Sequence, residues 1–162
     1  MESIALDATD IALLKQLQRD AALSNQDLAA LVHTSPPTCL RRVKRLRDAG
    51  LIERQIAILN TEKVAAATGH GLTAIVEITL DRQDAQALDH FETRVGSDSA
   101  VQQCYRVSPG PDFVLVVHAA HMADYQALTQ RLFTSDANVR NVKSFFSIKR
   151  SKFGAALPLG AA

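Results

Sequence analysis

Five basic side chains crowd into one short stretch of the chain. No acidic residue falls from Ser35 to Arg47, and five of the eight basic residues of positions 1–60 are found there: Arg41, Arg42, Lys44, Arg45 and Arg47. A guanidinium matches phosphate oxygens and the O6/N7 edge of guanine, and an α-helix fits the major groove of DNA. A run of like charge is also typical of a solvated helix face, so the stretch alone leaves both interpretations open.

The predicted elements around the stretch favour DNA. Residues 6–20 have apolar side chains at helical spacing, with Asp7 and Asp10 near the end of the helix that favours negative charge. Ser24 is the predicted N-cap of a second, short helix, and a tight turn follows at residues 33–34. Three helices within about 45 residues, with so short a turn before the last, are typical of a helix-turn-helix.

The basic residues occupy the third of these helices. Ser35 is its predicted N-cap, Pro36 its first residue and Gly50 its left-handed C-cap, so the helix runs to about Ala49. A helical wheel gives this helix one apolar inward stripe: Leu40, Val43 and Leu46.

The predicted DNA-binding set combines the N-cap with the outward side chains: Ser35, Thr38, Arg41, Arg42, Lys44 and Arg45. Within this set we expect Thr38 and Arg42 to face base edges, because the N-terminal part of a recognition helix lies deepest in the major groove. The remaining basic side chains are expected to contact phosphates.

The second half of the chain has a different pattern. Strands are predicted where β-branched residues alternate or form short apolar runs, and helices where the apolar period is 3.6. The order is β-α-β-β-α-β, a ferredoxin-like unit: strands 72–80, 101–107, 113–119 and 139–148, and helices 84–95 and 122–133.

The predicted chain is therefore α+β, with a winged helix-turn-helix domain at 1–60 and a ferredoxin-like domain at 72–153. Residues 51–60 alternate well enough for a strand or short wing. Residues 61–71 are interpreted as the linker, and residues 154–162 as a loose tail.

Strand 113–119 is apolar on both faces, with Phe113, Leu115 and Val117 on one side and Val114 and Val116 on the other. Two helices can cover only one face of a four-stranded sheet. We therefore expect the same sheet of a second subunit to cover the other face, which predicts a homodimer.

Several classes of protein find little support in the sequence. No apolar run is long enough to span a membrane and the N-terminus does not resemble a signal peptide, which predicts a cytoplasmic protein without a membrane partner. Cys39 and Cys104 lack the spacing of a metal site or disulfide framework. Five histidines are scattered without ligand spacing, so we expect no metal and no other cofactor: His33, His70, His90, His118 and His121.

No nucleophile elbow, glycine-rich phosphate loop or distinctive carboxylate pair is present, so we do not expect an enzyme. Two alternatives remain open. The second half of the chain could be a small enzymatic or metabolite-binding α/β module with an accessory helical domain. The chain could also be a redox regulator that uses Cys39, although a small core residue is the commoner role of such a cysteine.

The chain resembles the Lrp/AsnC (feast/famine) family of prokaryotic transcription regulators over nearly its full length. The pattern L-D-x-x-D-x-x-x-L-x-x-L at 6–17 is similar to the first helix of the family. The segment 28–50, with S-P-x-x-C-x-x-R-V-x-R-L followed by A-G-x-I, resembles its second helix, turn and recognition helix. The resemblance implies gene regulation, often in amino-acid metabolism, by dimers that frequently assemble into octamers and bind amino acids or related metabolites between subunits.

The resemblance also implies an effector site. Residues at the matching positions are Ser108, Gly110, Asp112, Met122 and Phe145, with Asp112 expected to hold an amino group of the effector. A turn or capping role for Asp112, and a core role for Met122 and Phe145, are equally open.

Three positions depart from the family pattern. His33 stands where glycine is frequent in the turn, which a histidine can fill in the left-handed conformation at some cost. Ala22 replaces a common arginine, and the turn at 108–112 has prolines on both sides of its glycine. Those prolines remove two N–H donors and stiffen the loop, which is expected to alter specificity for the effector.

Overall fold

The computed structural model describes residues 4–69 and 71–160. It divides into two compact units: one comprises residues up to 58 together with those from 152 onward, and the other comprises residues 59–151. No helix among the described residues is long and apolar enough to cross a membrane. His70, one of the scattered histidines, and the last two residues of the predicted tail lie outside the described residues.

The first unit contains three helices: α1 (Ala8–Arg19), α2 (Asn25–Leu31) and α3 (Pro36–Asp48). Asp7 begins α1 with a capping box, since its carboxylate accepts from the N–H of Asp10 while the carboxylate of Asp10 accepts from the N–H of Asp7. Ser24 caps α2 by accepting from the N–H of Asp27 at 3.1 Å. The predicted helix-turn-helix is confirmed.

The turn between α2 and α3 is tight. Its backbone N–H groups at 33 and 34 donate to the carbonyls of Ala30 and Ala29. His33 has a φ of 53°, so it takes the left-handed conformation that glycine adopts more readily. Beyond α3, Gly50 has a φ of 73° and the Gly50 N–H donates to the carbonyl of Arg47, as the predicted C-cap requires.

One prediction about α3 is wrong. Leu40 is 61% exposed, whereas Cys39 and Leu46 are fully buried and Val43 packs against them. Residues 39, 43 and 46 form a continuous helical stripe, and this stripe faces α1 and α2. Val43 and Leu46 thus face inward as predicted, while Cys39 takes the place predicted for Leu40.

The segments beside the three helices also differ from the predictions. Residues 51–60 form no strand, so the strand predicted as one alternative for this segment is not found. The predicted loose tail is held at two points: the N–H of Leu157 donates to Oε1 of Gln18 at 2.6 Å, and Leu159 packs against the apolar core of the same unit. The described part of the tail forms no helix or strand, but the side chain of Leu159 packs in this core.

The second unit begins with α4 (Thr61–Thr68), a helix within the segment predicted as the linker. The β-α-β-β-α-β order then follows as predicted: β1 (Leu72–Leu80), α5 (Ala85–Gly96), β2 (Val101–Arg106), β3 (Phe113–Ala119), α6 (Met122–Thr129), which continues as a π-helical turn (Gln130–Thr134), and β4 (Val139–Phe146).

The four strands form one antiparallel sheet in the order β2-β3-β1-β4, as a ferredoxin-like unit requires. One face of the sheet packs on α5 and α6 and forms the core, where alternate residues of β1 and β3 are buried. Phe91 of α5 and Phe113 of β3 lie in this core with ring centroids 4.8 Å apart. The opposite face carries partly exposed apolar side chains, including Ile75 and Phe145. We call this second face the open face.

Candidate nucleic-acid interface and effector residues

The fold of the first unit presents one side of α3 to solvent. Cys39 and Leu46 anchor the opposite side in the core, and Nδ2 of Asn25 on α2 donates to the carbonyl of Pro36 at 2.8 Å. These contacts fix α3 at its first turn and along its inner stripe. The side of α3 that stays exposed carries Arg41, Lys44 and Arg45, and we call it the basic face.

Most of the predicted DNA-binding residues are exposed on this face. Ser35, Arg41, Lys44 and Arg45 are exposed, and Thr38 is half-buried. The Ser35 hydroxyl makes no cap hydrogen bond but donates to Oγ1 of Thr38 at 2.8 Å, which brings two hydroxyls together at the start of α3. Lys44 pairs with Asp48 one turn later at 2.6 Å, a solvent-exposed pair that a phosphate can displace at little cost.

Arg42 lies in a different environment. Its side chain is 25% exposed, and Nη1 is 2.7 Å from Oδ2 of Asp7 and 2.9 Å from Oδ1 of Asp10. Arg45, one helical turn further on, also bonds Asp10 through Nη2. Two arginines of α3 are thus tied to two carboxylates at the start of α1.

These contacts shift the pKa values in the directions expected for ion pairs. The N–H of Asp10, and then the guanidinium of Arg42, hold the pKa of Asp7 below its usual value. The pKa of Arg42 is raised by its hydrogen bonds to Asp7 and Asp10. Both shifts favour the charged forms of Asp7 and Arg42, as an ion pair requires.

The pattern of α3 in the sequence predicts Arg42 against a base and does not show the carboxylates that hold it. A signal is present in the spacing, because Asp7 and Asp10 are three residues apart at the start of α1 and Arg42 and Arg45 have the same spacing on α3. The sequence relates the two carboxylates only to the dipole of α1, whereas the packing of α1 on α3 shows that they also form ion pairs. A cleft of about 300 Å³ opens beside these pairs, lined by Asp7, Arg41, Arg42 and Arg45.

Asp112 lies between β2 and β3 and supports the sheet. Its Oδ2 accepts from the N–H of Leu80 at 2.7 Å and from Nε2 of Gln83 at 3.3 Å. Its own N–H donates to the carbonyl of Ile78 at 2.8 Å, so the residue joins its loop to the end of β1. The capping alternative thus has direct structural support, since Oδ2 of Asp112 already accepts two hydrogen bonds within the protein.

The other predicted effector residues do not gather around Asp112 within one chain. Ser108 and Gly110 are exposed in the same loop, and Gly110 has a φ of 123° that favours glycine. Met122 follows the far end of β3, whose seven residues separate it from Asp112 by about 20 Å at the usual rise of a strand. Phe145 is 52% exposed on the open face, opposite Ile75.

The described residues also include no group of three or more His, Cys, Asp or Glu side chains placed to hold a metal ion. The first unit thus exposes the basic face of α3, and the second unit exposes the open face of its sheet. Comparisons with known proteins match both units. Residues 6–53 match the family model for a winged helix-turn-helix DNA-binding domain, and residues 73–157 match that of the Lrp/AsnC ligand-binding domain.

The chain belongs to the Lrp/AsnC family. It is a DNA-binding transcription regulator with a ligand-binding domain, as the resemblance predicts. Curated relatives include a leucine-responsive regulatory protein of Rhizobium meliloti, 35% identical over 92% of this chain and 93% of its own length. A transcriptional regulator of Sinorhizobium fredii is 33% identical over 97% of this chain and 90% of its own length.

Solved structures of Lrp/AsnC-type regulators agree with this fold. A transcriptional regulator of Neisseria meningitidis, crystallised as a complex with L-Met, is 31% identical with a TM-score of 0.82 over 96% of this chain and 97% of its own. An AsnC family regulator from Agrobacterium tumefaciens is 30% identical with the same TM-score, over 95% of this chain and 97% of its own.

Proposed function

We propose that this regulator binds specific duplex DNA sites through the exposed face of α3. Thr38 faces a base edge together with the neighbouring hydroxyl of Ser35, and Arg41, Lys44 and Arg45 contact phosphates. The observation that carries the proposal is the solvent-facing side of α3, where every charged residue before Asp48 is basic; α3 is the second helix of the helix-turn-helix motif formed by α2 and α3. In a dimer the two copies of α3 would enter successive major grooves, so half-sites should repeat at about one helical turn or its multiples.

The test is selection of bound sequences from a random duplex pool, followed by affinity measurements over a range of salt concentration. Arg41→Ala should reduce the salt slope by about one, because each lost phosphate contact releases one fewer counterion. Arg140→Ala is the matched control, since Arg140 is an exposed arginine on β4 outside the basic face. Failure to enrich any sequence, or equal slopes for the two variants, would refute the proposal.

We also propose that the ligand-binding domain senses an amino acid or a related metabolite. The L-Met complex of the Neisseria meningitidis regulator supports this class of effector. The separation of Asp112 from Met122 supports a site built from more than one subunit, because residues about 20 Å apart in one chain do not enclose a small molecule. A thermal-shift screen with the twenty amino acids tests the class, since a ligand of the folded form raises the unfolding temperature.

Assembly is the third part of the proposal. The open face gives a homodimer, and dimers associate further into octamers, as the resemblance to the family implies. Effector binding changes the assembly or the spacing of the α3 helices and thereby the DNA affinity, by a coupling free energy of about 1–3 kcal/mol. The protein acts by binding and not by turnover, and product formation in a screen of amino-acid substrates would contradict this.

A further inference from the structure

Asp10 is the one charged side chain that is fully buried among the described residues. Taking a carboxylate out of water costs several kcal/mol unless other groups replace its hydration. A buried carboxylate in a domain of this size therefore points to a specific task for its partners.

Those partners lie on two helices. Within α1, Oδ2 of Asp10 accepts from the N–H of Asp7 at 3.2 Å, which completes the capping box. From α3, Arg42 binds Oδ1 at 2.9 Å and Arg45 binds Oδ2. Residues three apart lie on the same side of a helix, so this one carboxylate holds one side of α3 at two consecutive turns.

The arrangement leaves Arg42 little freedom. Nη1 has two carboxylate partners, and Nε is buried without a hydrogen-bond partner in the described part of the chain. Rotation of this guanidinium towards DNA would break its bonds to Asp7 and Asp10, and Asp10 would lose a partner inside the protein. Because the carboxylate of Asp10 is fully buried, the loss of one of its charged partners is opposed more than the release of Lys44 from an exposed pair.

We propose that Asp10 and Arg42 are positioning residues for DNA recognition, and that Arg42 acts through the two carboxylates and not by contact with a base. The pair sets the angle and depth of α3 relative to α1, and thereby places Thr38 and Arg41 on the DNA. Arg45 has a double role, since its side chain is 46% exposed and can meet a phosphate while bound to Asp10. The inference rests on the proposed DNA binding.

Positioning and contact have different signatures. A phosphate contact contributes about one ion to the salt slope, and its loss weakens specific and non-specific binding alike. Loss of a positioning residue misplaces the base-facing side chains, so specific affinity falls while the salt slope and non-specific affinity stay the same. When two residues act through their contact with each other, the effects of their substitutions are also non-additive in a double-mutant cycle.

The experiment compares full-length Arg42→Gln, Asp10→Asn and the double variant with Arg41→Gln, the adjacent exposed arginine, as the matched control. Each is titrated with the selected duplex and with random duplex at several salt concentrations. Arg42→Gln and Asp10→Asn should each lower specific affinity by about tenfold or more, the size of one lost base contact. The double variant should be no weaker than the weaker single variant, and only Arg41→Gln should reduce the salt slope.

A reduced salt slope for Arg42→Gln, together with wild-type specificity for Asp10→Asn, would show that Arg42 contacts DNA and would overturn the proposal. Asp7→Asn provides a second route if Asp10→Asn does not fold, because asparagine caps a helix as well as aspartate does. Asp7→Asn should lower the affinity for the selected duplex and leave the salt slope unchanged. If the folded variant keeps wild-type specificity, the proposal is contradicted. If the wild-type protein selects no sequence, the proposed function fails instead.

Discussion

Ile75 on β1 lies directly opposite Phe145 on β4, and the two side chains are 44% and 52% exposed on the open face, opposite α5 and α6. On the other side of Ile75, Val116 of β3 continues the same apolar row. Ile75 is thus the centre of an apolar strip across three strands. This is the surface that a second copy of the sheet would bury.

A charge at this centre should separate the subunits. Ile75→Glu is expected to raise the dissociation constant of the dimer at least a hundredfold, because both copies lose a burial of about 1.5–3 kcal/mol. Sedimentation at micromolar concentration measures the effect. Gln86→Glu, on the exposed side of α5, is the control and should sediment as wild type. Wild-type sedimentation of Ile75→Glu would show that the subunits meet elsewhere.

Asp112 can be tested for its two roles separately. Asp112→Asn keeps an oxygen that can accept from the N–H of Leu80 but removes the negative charge. We expect the unfolding temperature without effector to stay close to wild type, while the increase caused by a bound amino acid is lost, since an ammonium group is no longer paired. Calorimetric titration checks the binding. An unchanged affinity would leave Asp112 with its capping role only.

Acid should weaken both the N-cap of α1, where the N–H of Asp10 donates to Asp7, and the contact of Asp7 with Arg42 on α3. The folded state holds the pKa of Asp7 below the value of about 3.9 of an unfolded chain. The stabilisation by the ionised carboxylate is therefore complete above pH 4 and is lost as the pH falls through the lower, folded-state pKa. Thermal unfolding between pH 2 and pH 6 measures this loss. The difference between wild type and Asp7→Asn should be largest at pH 6 and vanish at the acid end; a constant difference would contradict this assignment.

The thiol of Cys39 should be protected in the folded protein. Burial raises the pKa of Cys39, and the side chain is fully buried on the inner side of α3, so little thiolate is available to react. Iodoacetamide should modify Cys39 only as the protein unfolds, as mass spectrometry of the labelled peptide would show. Rapid labelling of the native protein, or loss of DNA binding under mild oxidation that Cys39→Ser abolishes, would favour the redox alternative.

The C-terminal segment offers a matched pair of variants. Leu159 packs against the core of the first unit, and Leu159→Ala should lower the free energy of unfolding by about 1 kcal/mol. Leu157 is 69% exposed and contacts Gln18 through its backbone, so Leu157→Ala should have little effect. Denaturant titration distinguishes the two. Equal effects would mean that the side chain at 159 has no specific place in the core.

Much of the fold could be predicted because local signals were strong. β1 spans the predicted residues 72–80, and α3 begins at Pro36, where the Ser-Pro pair marks a helix start. The helix at 61–68 was harder to recognise, since an alanine-rich segment without buried residues has no apolar period. The wing strand was over-predicted because the alternation of Ile56 and Ile58 resembles a strand, yet both side chains are exposed.

The candidate sites were less predictable than the elements. Residue type and charge sign identified α3 as the basic helix, but they could not show which arginines are free. A helical wheel gives directions around one axis, and Arg42 and Arg45 both point outward on it. Their bonds to Asp10 depend on the distance and angle between α1 and α3, which no residue spacing within either helix contains.

The sequence by itself determined the order of the elements, the helix-turn-helix and the family, because capping residues, apolar periods and short motifs act over a few neighbouring residues. The tertiary structure decided what each charged group does. It buried Asp10 under two arginines, gave Asp112 the N–H of Leu80, and left Ile75 uncovered. Such contacts join residues that are distant along the chain, and they exist only once the helices and strands have packed.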